Sequence, residues 1–524
     1  MGDMSTSVTM PSDQVPASQI IEEIRKRRAD SGRLVAGVAA ASNSDMFKGP
    51  QDGKPKAKRW DHHLTEESKL RQPCALKLAA QHLKKPGLIS LGSGLPASSV
   101  FPFASLSMAV PSVPSFSEAA PVSPATVNKY DIRDGAAEYD LSVALNYGQA
   151  CGSAQMARFL TEHAEVVHRP PYADWAVCQT IGNTGALEQA ARMLCDRDRR
   201  DAVLTEAFGF STAMETFEPL RVGVFGTAID SEGIVAEAMD ELLSGWDEAA
   251  RGGFRRPHVL YTVPSGQNPT GATQSPARRR AVYAVARKHD MIIIEDEPYY
   301  FLQMDPYGQD AAPPTNIDEF VASLVPSYVS IDVDGRVLRM DSFSKVLAPG
   351  ARLGWIVASQ QLVERYQRHA EVASQGPSGF SQVLLHKLLE DSWGGHAGYL
   401  QWLMHLRGVY AQKRDALLAA CERHLPRDLV SWTPPAAGMF VWLTVDHAKH
   451  PDHGTRKLED IEQEIFDAGI DGGVLVARGS WFRAEQHVPL SGLYFRITYA
   501  TASPEDMDTA TSRFGDAVRS SFKV

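Results

Sequence analysis

Residues 335–358 read "GRVLRMDSFSKVLAPGARLGWIVA". The stretch opens as a strand, "GRVLRMDS", then breaks into small, turn-forming residues around one lysine, Lys345. Two hydroxyls, Ser342 and Ser344, and the guanidinium of Arg352 accompany it, a donor set suited to a phosphate. A lysine held beside cationic groups in a drier site has its neutral amine favoured. Neutral amine is the nucleophile of Schiff-base formation. A lone lysine is by default a surface charge; its neighbours here argue for a reagent.

Upstream, short apolar runs alternate with helical patterns. "WAVCQTIG", "AVLTEA", "VGVFGTA", "HVLYTVP" and "MIIIEDEP" read as strands; "QMARFLTEHAEVV", "GALEQAARMLC" and "PARRRAVYAVARKH" read as helices. This alternation predicts an α/β fold whose large domain is a mostly parallel, seven-stranded-type sheet sandwiched by helices. Downstream of about residue 370 the helices lengthen, and "AAGMFVWLTV", "GVLVARGSWF" and "LYFRITYA" suggest a smaller α+β domain. The expected division is an N-terminal extension at 1–60, an arm with part of the small domain at 61–135, a large domain at 136–370 and a small C-terminal domain at 371–524. The extension holds one helical pattern, "SQIIEEIRKRRADSGRL". A helical period begins at "LTEESKLRQPCALKLAAQHL", and the Ser/Pro-rich residues 105–135 read as a long loop.

In a parallel sheet the carboxyl ends of the strands line the ligand crevice, and three more strand ends carry polar residues. "QTIGNTGALEQ" places Gly182, Asn183, Thr184 and Gly185 at a helix start, where backbone N–H groups suit an anion; an ordinary βα turn is the plainer reading. "YTVPSGQNPTGAT" fixes the Asn268 amide before a proline, in a tight turn. "MIIIEDEPYYFLQ" brings Glu295, Asp296 and Glu297 to the edge of an apolar core, with Tyr299 close by. Those carboxylates suit a metal, a cationic ring nitrogen or plain solvent. No His or Cys stands near with ligand spacing, and no metal is expected.

The chain has 524 residues, 44% hydrophobic and 22% charged, enough to bury a core without disulfides or a structural metal. Its 53 basic against 63 acidic residues leave a net charge of −10, which disfavours nucleic-acid and anionic-membrane binding. Five scattered cysteines without a CxxC suit a reducing compartment. No apolar run approaches the roughly 20 residues a membrane helix needs. With no signal-peptide or transit character at the N-terminus, a cytoplasmic enzyme is expected.

Phosphate ligands, a carboxylate for a pyridinium, a phenol, an amide and a nucleophilic lysine are together what pyridoxal 5'-phosphate requires. "SFSKVLAPGARLGW", "VPSGQNPTG" and "EDEPYYFLQ" resemble the fold-type I aminotransferases, class I/II. They are most similar to the branch of fungal aromatic and kynurenine/2-aminoadipate aminotransferases, over about residues 65–510. The resemblance implies that Lys345 would hold the cofactor covalently and shuttle the substrate's Cα proton. Asp296 would pair with the pyridinium, while Tyr299 and Asn268 would bond the ring's phenolic oxygen. Ser342, Ser344, Arg352, Asn183 and Thr184 would hold the phosphate, although Asn-Thr departs from the Ser-Gln common in relatives. Phe210, with Phe208 as rival, would stack on the ring. Tyr147 would reach the cofactor of a neighbouring subunit, which implies a homodimer with the active site at the subunit interface; a loop tyrosine packed on its own domain is the alternative. Arg496 would bind the substrate carboxylate, although an arginine on a strand is otherwise usually a surface ion-pair residue. Asn268 would assist there, and Gly94 in "SLGSGLP" would pack close over the substrate.

The expected reaction moves the amino group of tryptophan, tyrosine or phenylalanine to a 2-oxo acid such as 2-oxoglutarate. The donor class comes from the branch, since no motif reads an aromatic side chain. 2-Aminoadipate or kynurenine transamination stays open, as does a β-lyase or decarboxylase on the same cofactor. A bacterial-type transcription regulator with this fold is disfavoured, because residues 1–60 lack a winged-helix pattern.

Overall fold

The computed structural model describes residues 15–524 apart from 76, 78–84, 86, 93 and 310–311. In chain order the strands are β1 (Ser105–Pro111), β2 (Val122–Asn128), β3 (Trp175–Thr180), β4 (Ala202–Glu206) and β5 (Gly223–Thr227). A two-residue ribbon follows, β6 (Ile229–Asp230) and β7 (Gly233–Ile234). Then come β8 (Val259–Thr262), β9 (Ile292–Asp296), β10 (Val337–Ser342) and β11 (Gly354–Ser359). The last four are β12 (Val430–Trp432), β13 (Phe440–Val445), β14 (Ala477–Arg478) and β15 (Leu493–Thr498).

Seven strands form the main sheet in the order β3-β11-β10-β9-β8-β4-β5. The pairs β10·β9, β9·β8, β8·β4 and β4·β5 are parallel, while β11 runs antiparallel to both β10 and β3. The expected six strands all form; β11, "GWIVAS", is the one that sequence reading passed over. It is buried at every position, as are β3, β4, β8, β9 and β10. Such continuous burial is what helices on both faces of a parallel sheet impose. The helix Pro276–Lys288 between β8 and β9 shows the local logic. Ser275 caps it by accepting from the Arg278 N–H, and proline takes the first turn, where no N–H is needed.

The second sheet is antiparallel, in the order β12-β13-β15-β14, and pairs Trp442 with Arg496 in register. It covers its own apolar cluster of Val441, Leu443, Leu493 and Phe495. The long helix His396–His424 feeds both cores. Tyr399, Leu400 and Leu403 enter the large cluster, and Leu417, Leu418 and Cys421 enter the small one.

The N-terminal extension is anchored to the main body. Its helix Ala17–Ser31 buries Ala17, Ile21 and Ile24 in the large core, and Trp60 Nε1 donates to the Gly335 carbonyl at 2.8 Å. The helical period begun at residue 64 yields Glu66–Leu70, and most of its remainder lies outside the described residues. Residues 105–135 correct the loop reading, because β1 and β2 pair antiparallel from Ser105↔Asn128 to Pro111↔Val122. Prolines at 111 and 124 are tolerated because a two-stranded ribbon leaves each strand an outer edge without a partner.

Candidate active site

Side chains alternate across a strand, and Glu295 and Asp296 at the end of β9, with Glu297 just after it, are separated in this way. Glu295 faces Arg339 Nη1 at 3.1 Å and accepts the backbone N–H groups of Tyr328 and Val329 at 2.7 and 3.2 Å. Glu297 accepts from Ser265 Oγ at 3.0 Å and Arg279 Nη1 at 3.1 Å. Two of the three carboxylates are therefore committed to buried arginines.

Asp296 is different. Asn183 Nδ2 donates to its Oδ1 at 2.6 Å and the Tyr261 hydroxyl to its Oδ2 at 2.8 Å, and among the described residues it has no ion-pair partner. Burial, opposed by those two donors, pushes its carboxyl up to about 6. A buried carboxylate with only neutral donors is a site for a cation. Tyr261 was not among the expected site residues; read alone it is a filler of the apolar strand "HVLYTVP".

The anion end of the site is built around Arg352. Its Nη1 donates to Ser344 Oγ at 3.3 Å and its Nη2 to the Ile181 carbonyl at 3.0 Å. Ser342 Oγ donates to Ser344 Oγ at 2.7 Å and accepts from the Ser344 N–H at 3.0 Å. The helix Asn183–Leu194 starts here behind Gly182, which supplies no side-chain cap, so its first N–H groups stay available to an anion. A Cβ on Gly182 would stand 2.4 Å from Arg352 Nη2, and its φ of +98° suits glycine alone. Thr184 is exposed on the first turn of that helix. Asn183 serves Asp296 and the Met340 carbonyl instead, while its Oδ1 is buried without a partner. Its amide thus stands at the ring end of the site, where a phosphate ligand was expected.

Lys345 is half-buried between these two ends. Burial lowers its pKa, and the nearby charges of Arg496 and Arg352 lower it further. From the small sheet, Arg496 Nη1 donates to Asn268 Oδ1 at 2.7 Å, which leaves the Asn268 NH2 for another acceptor. The Arg496 guanidinium lies 4.4 Å from the Phe440 ring centre and 4.7 Å from that of Phe482. Tyr299 is buried edge-on to Phe440, and its phenol pKa is raised by burial and by Asp296. Phe210 begins the helix Ser211–Phe217 and packs against the large core. Phe208 is engaged elsewhere, against Trp442 and Tyr494 of the small sheet.

Two expected residues stand apart. Tyr147 is 60% exposed, and Gly94 faces open space where a Cβ would stand. Among the described residues no side-chain hydrogen bond or ring contact joins Tyr147 to the cradle.

The donor set fits pyridoxal 5'-phosphate. A cation-seeking carboxylate, an orphaned amide oxygen, an uncapped helix start and a lysine whose pKa is lowered by burial and by two arginines meet at the carboxyl ends of β3, β9 and β10. The match to known proteins agrees. A family profile described as aminotransferase class I and II covers residues 137–514. An aromatic amino acid aminotransferase of Schizosaccharomyces pombe is 41% identical over 88% of this chain and 98% of its own length. An L-tyrosine:2-oxoglutarate aminotransferase of Serpula lacrymans is 34% identical over 80% of this chain and 83% of its own. The crystal structure of aminotransferase Aro8 from Candida albicans superposes with a TM-score of 0.82 at 39% identity, covering 90% of this chain and all of that one.

Proposed function

The chain belongs to the class I and II aminotransferases, with the fold-type I architecture and pyridoxal 5'-phosphate as cofactor, and from that premise we propose an aromatic amino acid aminotransferase with a 2-oxo acid, such as 2-oxoglutarate, as acceptor. The observation that carries the site assignment is the buried Asp296 carboxylate, bonded only by the neutral donors Asn183 and Tyr261. The donor class is supported by the 41% identical relative named for aromatic amino acids.

When bound, the cofactor supplies an electron sink for the Cα–H bond of an amino acid. Asp296 supplies the negative charge that keeps a pyridinium protonated. Ser342, Ser344, Arg352, Thr184 and the first N–H groups of the Asn183 helix hold the phosphate. Tyr299 and the Asn268 NH2 donate to the ring's phenolic oxygen, and Phe210 covers a ring face. Lys345 would hold the cofactor covalently, and its amine is placed to take the proton from the substrate's Cα. Arg496 binds the α-carboxylate shared by amino and oxo acid, which is why one site serves both halves of the exchange.

A homodimer with the site at the subunit interface completes this reading, supported by the solvent-facing Tyr147 and by Ile89 and Leu91, which are 87% and 96% exposed. A cytoplasmic location and the absence of nucleic-acid partners belong to this reading, the first supported by five scattered cysteines without a CxxC and the second by the net charge of −10. Among the described residues no helix is long and apolar enough to cross a membrane.

The test is product analysis with holoenzyme, tryptophan and 2-oxoglutarate. The indole oxo acid and glutamate should form in equal amounts; ammonia or carbon dioxide would point to a lyase or decarboxylase. Lys345→Ala should abolish both turnover and the cofactor's covalent absorbance, and retained turnover would remove Lys345 from its role.

A further inference from the structure

Beyond this activity, and independent of it, we infer that His62, His63 and Asp290 form a binding site for a divalent cation of the zinc class. The site lies before the start of β9, whose other end carries Asp296, roughly 20 Å away at the rise of a strand. His62 Nε2 stands 2.8 Å and His63 Nε2 3.2 Å from the same oxygen, Asp290 Oδ2. The three ligand atoms all lie within 4.8 Å of one another. Nitrogen and oxygen ligands around a tetrahedral zinc stand about 3.4 Å apart, given bonds of about 2.1 Å.

His63 makes the cluster more than a surface ion pair. Its side chain is 9% exposed, and its Nε2 is buried 3.2 Å from Asp290 Oδ2 without a hydrogen-bond partner. A buried imidazole nitrogen facing a carboxylate without bonding it is unsatisfied until a shared cation supplies the third centre. Asp290 is also held there by its backbone, at a φ of +54°, a region that non-glycine residues seldom occupy.

The surroundings permit the added charge. Arg199 and Arg255 are both engaged by Asp201, at 2.6 and 3.4 Å; Arg336, whose Nη1 lies 4.0 Å from Asp290 Oδ1, is held by Asp334 at 3.0 Å. His258 stacks on His63 with centroids 5.0 Å apart, and its Nε2 bonds the Leu194 carbonyl, so it is a wall and not a ligand. His62 and Asp290 are both more than half exposed, so a cation could enter from solvent and keep a water as fourth ligand. Two imidazoles with one carboxylate select zinc-class ions over magnesium or calcium. The site lies apart from the strand-end carboxylates, at which no metal is expected. A cation here would clip residues 60–65 to the body of the large domain and stabilise the fold by binding the native state alone.

The test uses full-length holoenzyme stripped with a chelator, then titrated with Zn²⁺ against a chromogenic competitor. One tight equivalent per chain and a higher Tm are expected with Zn²⁺, and neither with Mg²⁺. His62→Ala removes an exposed ligand; Asp290→Gly removes the carboxylate at a backbone angle that glycine adopts freely. Each should weaken the tight equivalent at least tenfold while leaving far-UV circular dichroism and transamination intact. A tight equivalent that survives in both variants, as cysteine ligation would produce, overturns the site. So does a wild-type chain that takes up none.

Discussion

Asn183 Nδ2 donates to Asp296 Oδ1 across 2.6 Å, joining the start of a helix to the end of a strand 113 residues later. With Tyr261 on the other oxygen, the carboxylate is held in place but not neutralised. Its carboxyl is raised to about 6 by burial, above the value of an unfolded aspartate. In the cofactor-free protein this group therefore favours folding below about pH 4, and that contribution is lost as pH rises through about 6, to the extent of roughly 3 kcal/mol. Asp296→Asn should raise the Tm of the cofactor-free chain at pH 8, with the gain shrinking towards pH 4.5, while transamination is lost. Thermal melts across that range check it; a pH-independent difference would contradict the assignment of a charged, cation-seeking carboxylate.

The Arg496 guanidinium lies over the rings of Phe440 and Phe482 and is tied to Asn268. A lysine lacks both the planar face and the fork. Arg496→Lys should therefore fall nearly as far as Arg496→Leu. A lost charge-assisted bond of about 1.5–3 kcal/mol corresponds to about 10- to 100-fold in kcat/KM. The loss should appear with amino donor and oxo acceptor alike, since both carry the α-carboxylate. Steady-state kinetics of each half-reaction measure it, and wild-type values for Arg496→Lys would rule out fork recognition.

Gly182→Ala places a methyl 2.4 Å from Arg352 Nη2 at a backbone φ of +98°. A cost of about 1–3 kcal/mol in stability is expected from the strain, with cofactor affinity falling as Arg352 is displaced. Gly94→Ala meets open space, so stability should change by less than about 0.5 kcal/mol. A fall in kcat/KM for Gly94→Ala would then report substrate packing against that turn. Calorimetry and cofactor titration of the two variants separate strain from contact.

The main sheet was legible because burial on both faces writes β-branched, apolar runs directly into the sequence, as in the "III" of β9. The crevice residues were legible for a related reason: polar side chains at the ends of such runs have few structural explanations. The hairpin of β1 and β2 was not, because its serines and prolines carry turn propensity that only pairing overrides. Tyr261 and the ring-end placement of Asn183 were hidden as well. Each is defined by a partner on another strand, and no local pattern records that distance. His62 and His63 face Asp290 from 228 and 227 residues away, so no spacing rule would have joined them.

Tyr147 is the residue whose role a single chain leaves incomplete, since 60% of it faces solvent. If it serves the partner's cofactor, Tyr147→Ala and Lys345→Ala should complement one another. In a hybrid dimer the Lys345→Ala chain lends its intact Tyr147 to the site that keeps Lys345, and the other site carries both defects. Random re-assortment of equal amounts makes half the dimers hybrid with one sound site each, so about a quarter of wild-type sites should return. Refolding the two variants together and assaying against each refolded alone measures this. A mixture no more active than the mean of its parents would place Tyr147 on its own subunit's surface and leave the site complete within one chain.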